Sequence, residues 1–217
     1  TEDIANSDFY TIVDTDEANR VTGLKINERV VGRSHYYSNI MVIGRSFLLN
    51  IINDAIARGY NSFREDVIMK NLKSLKVYAY DFNGYYATID SFGSYYKHNM
   101  ELLDKSVRDE LFGARDIYTK VRDSAPSKYG DGAVLNNALV SDGCIVEGTV
   151  ENSILFRGVK VGKGSVIKNS IIMQDTVIGE NVSLNCVVTD KNVVIRDRRN
   201  LSGCEVQPYF LPKGSMV

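Results

Sequence analysis

The chain has 217 residues, is 44% hydrophobic and carries a formal net charge of −1. That balance excludes a basic nucleic-acid surface and an acidic disordered tail, and it allows one large domain or two small ones. No apolar run reaches the length of a membrane span and no signal peptide is seen, so neither a membrane nor nucleic acid is an expected partner.

After a polar opening, Phe9–Asp14 reads as a strand and Ser38–Ile43 as a second, short one. In Arg45–Arg58 the spacing of Leu48, Leu49, Ile51, Ile52, Ala55 and Ile56 fits an amphipathic helix, and Gly59 stands where a glycine would end it. Ser74–Asp81 alternates apolar Leu75, Val77 and Ala79 with Lys76, Tyr78 and Tyr80. Asn83-Gly84 then signals a hairpin turn before Tyr85–Ile89. Ser94 is expected to cap a helix that buries Tyr95, Met100, Leu102 and Leu103, and Asp109–Arg122 to form another. A doubly wound nucleotide-binding half needs a glycine-rich phosphate loop, and Gly32-Arg33-Ser34 and Gly113-Ala114-Arg115 are too isolated to make one. The front part therefore reads as an incomplete α/β domain, 1–123. The breaker-rich stretch 124–132 reads as a linker, and 133–217 as a second domain.

In that second domain an aliphatic residue recurs every five or six positions: Leu139, Ile145, Val150, Leu155, Val161, Ile167, Ile172, Ile178, Leu184, Val188 and Val194. Neither helix nor simple strand has this period; it is the hexapeptide rhythm of a parallel β-helix, with small residues such as Gly148, Gly162, Gly164 and Gly179 at the corners. Cys144, Cys186 and Cys204 lack metal-ligand spacing, are expected to be small buried hydrophobes, and point to a reduced cytoplasmic setting. His35 and His98 are the only histidines, and neither lies in the β-helix. A hexapeptide acyltransferase generally uses such a histidine as its general base, which weighs against acyl transfer. His98 reads as structural, and the tyrosine pairs 36-37, 85-86 and 95-96 read mainly as packing.

The order of these motifs resembles one family, the glucose-1-phosphate adenylyltransferases, from the middle of the catalytic domain onward. Tyr95-Tyr-Lys-His-Asn-Met-Glu-Leu-Leu103 is similar to the family's Tyr-Trp-x-x-Asn-x-x-Leu helix. Asn137–Gly148, Asn169–Met173 and Val188–Val193 also match. The resemblance implies a partial glycosyltransferase-A-like α/β domain followed by a left-handed β-helix. It also implies conversion of ATP and glucose 1-phosphate to ADP-glucose and pyrophosphate, with Mg2+.

The departures from the family pattern are as telling as the matches. Asn27 stands where the family's lysine grips the sugar phosphate, and an amide offers no charge to a dianion. Ser62-Phe63-Arg64 replaces Asp-Phe-Gly, losing a sugar-binding carboxylate while keeping the aromatic. Thr88, in Tyr86-Ala-Thr-Ile-Asp-Ser91, falls at the metal-binding aspartate. Ser62, Phe63 and Tyr86 are left as sugar-phosphate pocket candidates. Asp66 and Asp90 are alternative carboxylates if the site is rearranged. The pattern resembles the regulatory subunit that accompanies a catalytic one in glycogen-synthesising Gram-positive bacteria. It implies no cofactor held by this fragment and no confident catalytic residue. It also implies a catalytic adenylyltransferase partner or self-association, and a sugar-phosphate effector that meets Lys191. Arg196, Arg198 and Arg199 could extend that anion site. The competing readings are an active sugar-phosphate nucleotidyltransferase and a structural β-helix interaction module.

Overall fold

A computed structural model describes residues 9–29, 35–113, 117–120 and 122–217, with the side chains of Phe9, Asn27, Glu28 and Arg29 outside the description. The chain divides into two compact units, Thr1–Asn83 and Gly84–Val217. A small α/β region is followed by a parallel β-helix.

In the first unit β1 (Phe9–Thr15) pairs antiparallel with β2 (Val21–Arg29). Asp16 shapes the turn between them: its carboxylate accepts from the main-chain N–H groups of Ala18 and Arg20, both at 2.9 Å. α1 (Arg45–Ala57) runs as expected and ends at Gly59, whose φ of 67° suits the left-handed cap. A π-helical turn, Phe63–Met69, follows. Two expected strands do not form here. Over Ser38–Ile43, Asn39 takes a φ of 61°, and Ile40, Met41 and Val42 are exposed with no ladder. Ser74–Asp81 reduces to a single bridge between Arg20 and Tyr78. Alternation yields a strand only where a neighbour takes up its N–H and C=O groups.

The second unit opens with an extended stretch where Tyr85–Ile89 was expected as a strand. α2 (Phe92–Glu101) is capped by Ser91 rather than Ser94. Ser91 Oγ accepts from the Ser94 N–H at 3.1 Å and Ser94 Oγ accepts from the Ser91 N–H at 3.0 Å, so Ser94 is the reciprocal member of a capping box. The helix expected over Asp109–Arg122 starts earlier. Asp104 caps α3 (Lys105–Arg108), a π-helical turn Asp109–Gly113 follows, and 117–120 are not helical. Gly32-Arg33-Ser34, Ala114 and Arg115 lie outside the described residues.

All pairing within the coil is parallel, and its strands form three faces. The first face stacks β3 (Lys128–Tyr129), β5 (Ile145–Val146), β7 (Lys160–Val161), β10 (Val177–Ile178) and β13 (Val194–Ile195). The second takes the front halves of β4 (Val134–Val140) and β6 (Thr149–Leu155), then β8 (Val166–Lys168), β11 (Ser183–Asn185) and β14 (Asn200–Ser202). The third takes the back halves of β4 and β6, then β9 (Ile171–Ile172), β12 (Val187–Thr189) and β15 (Tyr209–Leu211). The stretch 124–132 therefore already contains coil, since β3 lies within it. The compact division falls after Asn83 because α2 packs on the coil.

Inside, side chains stack in columns such as Val150, Ile167, Leu184 and Leu201. Seven expected residues from Val150 to Leu184 are buried in this axis. At both ends the register shifts by one. Val146 and Ile195 point in where Ile145 and Val194 were expected, and Ala138 and Val140 flank the axis instead of Leu139. Because side chains alternate, a one-residue slip moves a residue to the opposite face. Val188 is buried too, but outside the axis, where it packs with Ile171 and Tyr96.

The corners have their own logic. Asn137, Asn152, Asn169 and Cys186 take φ values of 44° to 51° at equivalent places, and asparagine tolerates that conformation best among residues with a side chain. Gly162 is required by contact: a Cβ there would stand 2.4 Å from the carbonyl oxygen of Gly179. Buried serines close remaining gaps, with Ser153 Oγ accepting from the Ser170 N–H and Ser170 Oγ from the Val187 N–H, both at 3.0 Å. Cys144 and Cys186 are buried as expected, while Cys204 is exposed.

The outward column of the third face is unusually apolar: Leu139, Ile154, Ile171, Val188 and Phe210 are register partners. α2 lies across its middle. Tyr96 is 4% exposed, packs on Ile171 and Val188, and donates its hydroxyl to the Asn169 carbonyl at 2.6 Å. Tyr96, not Tyr95, is the buried member of that pair.

Candidate functional site

In the first unit, Ser62, Phe63 and Asp66 come together on the π-helical turn. Ser62 Oγ caps it by accepting from the Glu65 N–H at 3.1 Å. The Asp66 carboxylate accepts from Lys70 Nζ at 2.7 Å, the Ser62 N–H at 3.0 Å and the Asn61 N–H at 3.1 Å. Lys70 and these two N–H groups pull the Asp66 carboxyl down to about 2. Its oxygens are therefore engaged in closing the turn. Phe63 is half-buried. Arg64 reaches to β1, donating from Nη1 to Thr11 Oγ1 at 2.9 Å. Asn27 lies on β2, and its side chain is among those not described. A hollow of about 250 Å³ between α1 and the π-helical turn is lined by Asn50, Asp54, Tyr60 and Asn71 and by none of the expected site residues.

Tyr86, Thr88 and Asp90 belong to the second unit, on the extended stretch before α2. Tyr86 is half-buried, and Thr88 and Asp90 are exposed. One hydroxyl and one exposed carboxylate do not fit a Mg2+ site. Among the described residues, no three His, Cys, Asp or Glu side chains converge as metal ligands.

Beside it lies a cluster that the residue patterns did not announce. Glu101 Oε2 accepts from the Tyr85 hydroxyl at 2.5 Å and lies 2.8 Å from His98 Nδ1. Burial, then the Glu101 carboxylate, pushes the Tyr85 phenol up to about 12. Burial works to raise the Glu101 carboxyl, but hydrogen bonds from Tyr85 and His98 outweigh it and leave it below its ordinary value. The i,i+3 spacing of His98 and Glu101 on one helix was the available signal. His98 is thus held within this cluster. His35 forms an exposed pair with Asp81 at 3.0 Å.

Lys191 is exposed on the corner between β12 and β13, and its main-chain N–H donates to Asp190 Oδ1 at 2.7 Å. Arg196, Arg198 and Arg199 occupy the next corner, between β13 and β14. The two basic groups therefore sit on different corners of the coil. No helix among the described residues is long and apolar enough to cross a membrane.

Residues 124–205 match the family model of the GlmU-like C-terminal hexapeptide domain. The glycogen biosynthesis protein GlgD of Bacillus subtilis (strain 168) is 42% identical over 176 residues, 81% of this chain and 51% of that protein. GlgD of Geobacillus stearothermophilus is 39% identical over 214 residues, 98% of this chain and 61% of that protein. A glucose-1-phosphate adenylyltransferase of Desulfitobacterium hafniense (strain DSM 10664 / DCB-2) is 31% identical over 138 residues, 63% of this chain and 35% of that enzyme. The chain spans about half to three-fifths of the length of the two GlgD relatives.

Proposed function

Over the residues it spans, the chain belongs to the family of GlgD glycogen biosynthesis proteins and glucose-1-phosphate adenylyltransferases, and on that premise we propose that it is part of a regulatory subunit in glycogen biosynthesis. Such a subunit tunes or stabilises a catalytic partner that makes ADP-glucose from ATP and glucose 1-phosphate in the cytoplasm. The observation that carries the reading is the triple departure at Asn27, Ser62 and Thr88, where the resemblance implies a phosphate-binding lysine, a sugar-binding carboxylate and a metal-binding carboxylate. Nucleotidyl transfer depends on metal and cationic stabilisation of phosphate oxygens, and each lost group removes roughly several kcal/mol of it. The two GlgD proteins match over 81% and 98% of the chain, the Desulfitobacterium enzyme over 63%, which supports the same side. Lys191, exposed at a coil corner, is the effector-binding candidate.

Pyrophosphorolysis of ADP-glucose with Mg2+ tests this, using the full-length protein alone and then mixed with a catalytic adenylyltransferase. No turnover alone, with an altered rate or effector response in the mixture, is expected. Robust turnover alone overturns the proposal and favours an active nucleotidyltransferase with a rearranged site. In the mixture, Lys191→Ala is expected to weaken the response to an added sugar phosphate. An unchanged response removes Lys191 from the effector site.

A further inference from the structure

We propose that Glu101 is a positioning residue, holding the stretch Tyr86–Asp90 against α2 through Tyr85. Residue 85 is tied twice. Its hydroxyl donates to Glu101 Oε2 at 2.5 Å, and its main-chain N–H donates to Glu110 Oε1 at 2.5 Å. The Tyr85 hydroxyl is also 3.4 Å from His98 Nδ1, so Tyr85 and His98 converge on one carboxylate oxygen. The far end of the stretch is tied as well. The Asp90 N–H donates to Ser94 Oγ at 3.1 Å, within the cap of α2. The stretch is therefore a strap, pinned near Glu101 at the C-terminal end of α2 and at Ser94 at its N-terminal end.

Between the pins it has no strand ladder to hold its course. A segment without a ladder keeps its conformation through side-chain ties of this kind. A hydrogen bond to an ionised carboxylate is among the stronger ones, and Glu101, with Tyr85 and His98 both on one oxygen, is the hub. α2 is itself held on the coil by Tyr96, so the clamp links the stretch carrying Tyr86 and Thr88 to the coil. The functional weight of that placement rests on reading Tyr86 and Thr88 as pocket positions; the clamp itself does not.

Hydrogen exchange read by mass spectrometry on the full chain tests the clamp directly. Glu101→Gln keeps the shape and removes the charge. It is expected to raise exchange in a peptide covering 84–91 by about tenfold, as loss of one charge-assisted hydrogen bond would, and to leave peptides from β8, β9 and β12 unchanged. Tyr85→Phe should give a rise no larger than that of Glu101→Gln, which also loses the His98 contact, and the double variant should rise no further than Glu101→Gln alone, because the Tyr85–Glu101 bond is common to both. Unchanged exchange over 84–91 overturns the proposal, and so do additive effects of the two substitutions. An equal rise in the coil peptides also overturns it, since Glu101 would then stabilise the whole unit. None of these readouts involves a catalytic subunit, so failure of the regulatory reading would appear in the mixing assay and leave this result standing.

Discussion

The coil and the first unit treat apolar side chains in opposite ways. Ile167, Ile172, Ile178 and Leu184 are at most 2% exposed. In α1, by contrast, Phe47, Leu49, Ile52 and Ile56 are between 38% and 71% exposed. Both segments show a clear apolar period in the sequence. The difference lies in where the partner comes from. In the coil the next turn supplies it, so each aliphatic residue meets another of its own column. α1 needs a surface from elsewhere, and the described residues supply little of one. A period states which side of an element is apolar; it does not supply the cover.

The sharpest way to break this contrast is to place a charge in each region. Ile172→Lys buries an unpaired ammonium in the axis and should cost about 3–5 kcal/mol, unfolding the coil in a thermal melt. Ile56→Lys, at a position 71% exposed, should leave the melt nearly unchanged. Equal effects would mean that the coil register drawn here is wrong, or that α1 is covered after all. A smaller step uses glycine. Gly162→Ala pushes a methyl group into backbone and should cost about 1–3 kcal/mol, whereas Gly44→Ala, with nothing within 4 Å, should fall within noise. Denaturant melts of the two variants decide it. Smaller again is Tyr96→Phe, which removes the hydroxyl bonded to the Asn169 carbonyl and should cost about 1 kcal/mol, read as faster exchange in α2 with the inner columns unaffected.

Acid gives the mildest test. Glu101 has a folded carboxyl value below its ordinary 4.5, so its contribution is complete above that pH and is lost as the pH falls through the lower folded value. Tyr85 works at the other end: its neutral phenol contributes fully below 10.0, and that contribution is lost as the pH rises towards about 12. Exchange over 84–91, followed at about pH 6 and about pH 3 and corrected for intrinsic rates, should show the first loss.

The coil was the most legible part of the sequence, because its determinants are repeated and local. Seven axial residues could be named from spacing alone. The ends were misplaced by one position because two adjacent aliphatic residues, as in Ile145-Val146 and Val194-Ile195, leave the choice of inward side to the neighbouring turn. α1 and its terminal glycine were legible for the same local reason. Ser38–Ile43 and Ser74–Asp81 failed because strand formation depends on a ladder that composition does not reveal. The candidate site was legible mostly through resemblance, at Asn27, Ser62 and Thr88. What could not be read was the engagement of Asp66 by Lys70 and two main-chain N–H groups, or the meeting of Tyr85, His98 and Glu101, since both depend on folded geometry.

One consequence follows from the uniform parallel pairing of the coil. Successive turns are interchangeable parts: Ser165 and Val182, one turn apart, are separated by 17 positions, whereas Asn137 and Asn152, also one turn apart, are separated by only 15. The trim is absorbed at a corner while the columns stay in step. Gene-level insertions or deletions should therefore survive here when they add or remove a whole turn or trim a corner, and fail when they put a column out of step. The length of this domain is a quantity that evolution can change in steps, like adding a course of bricks, without redesigning the courses above and below.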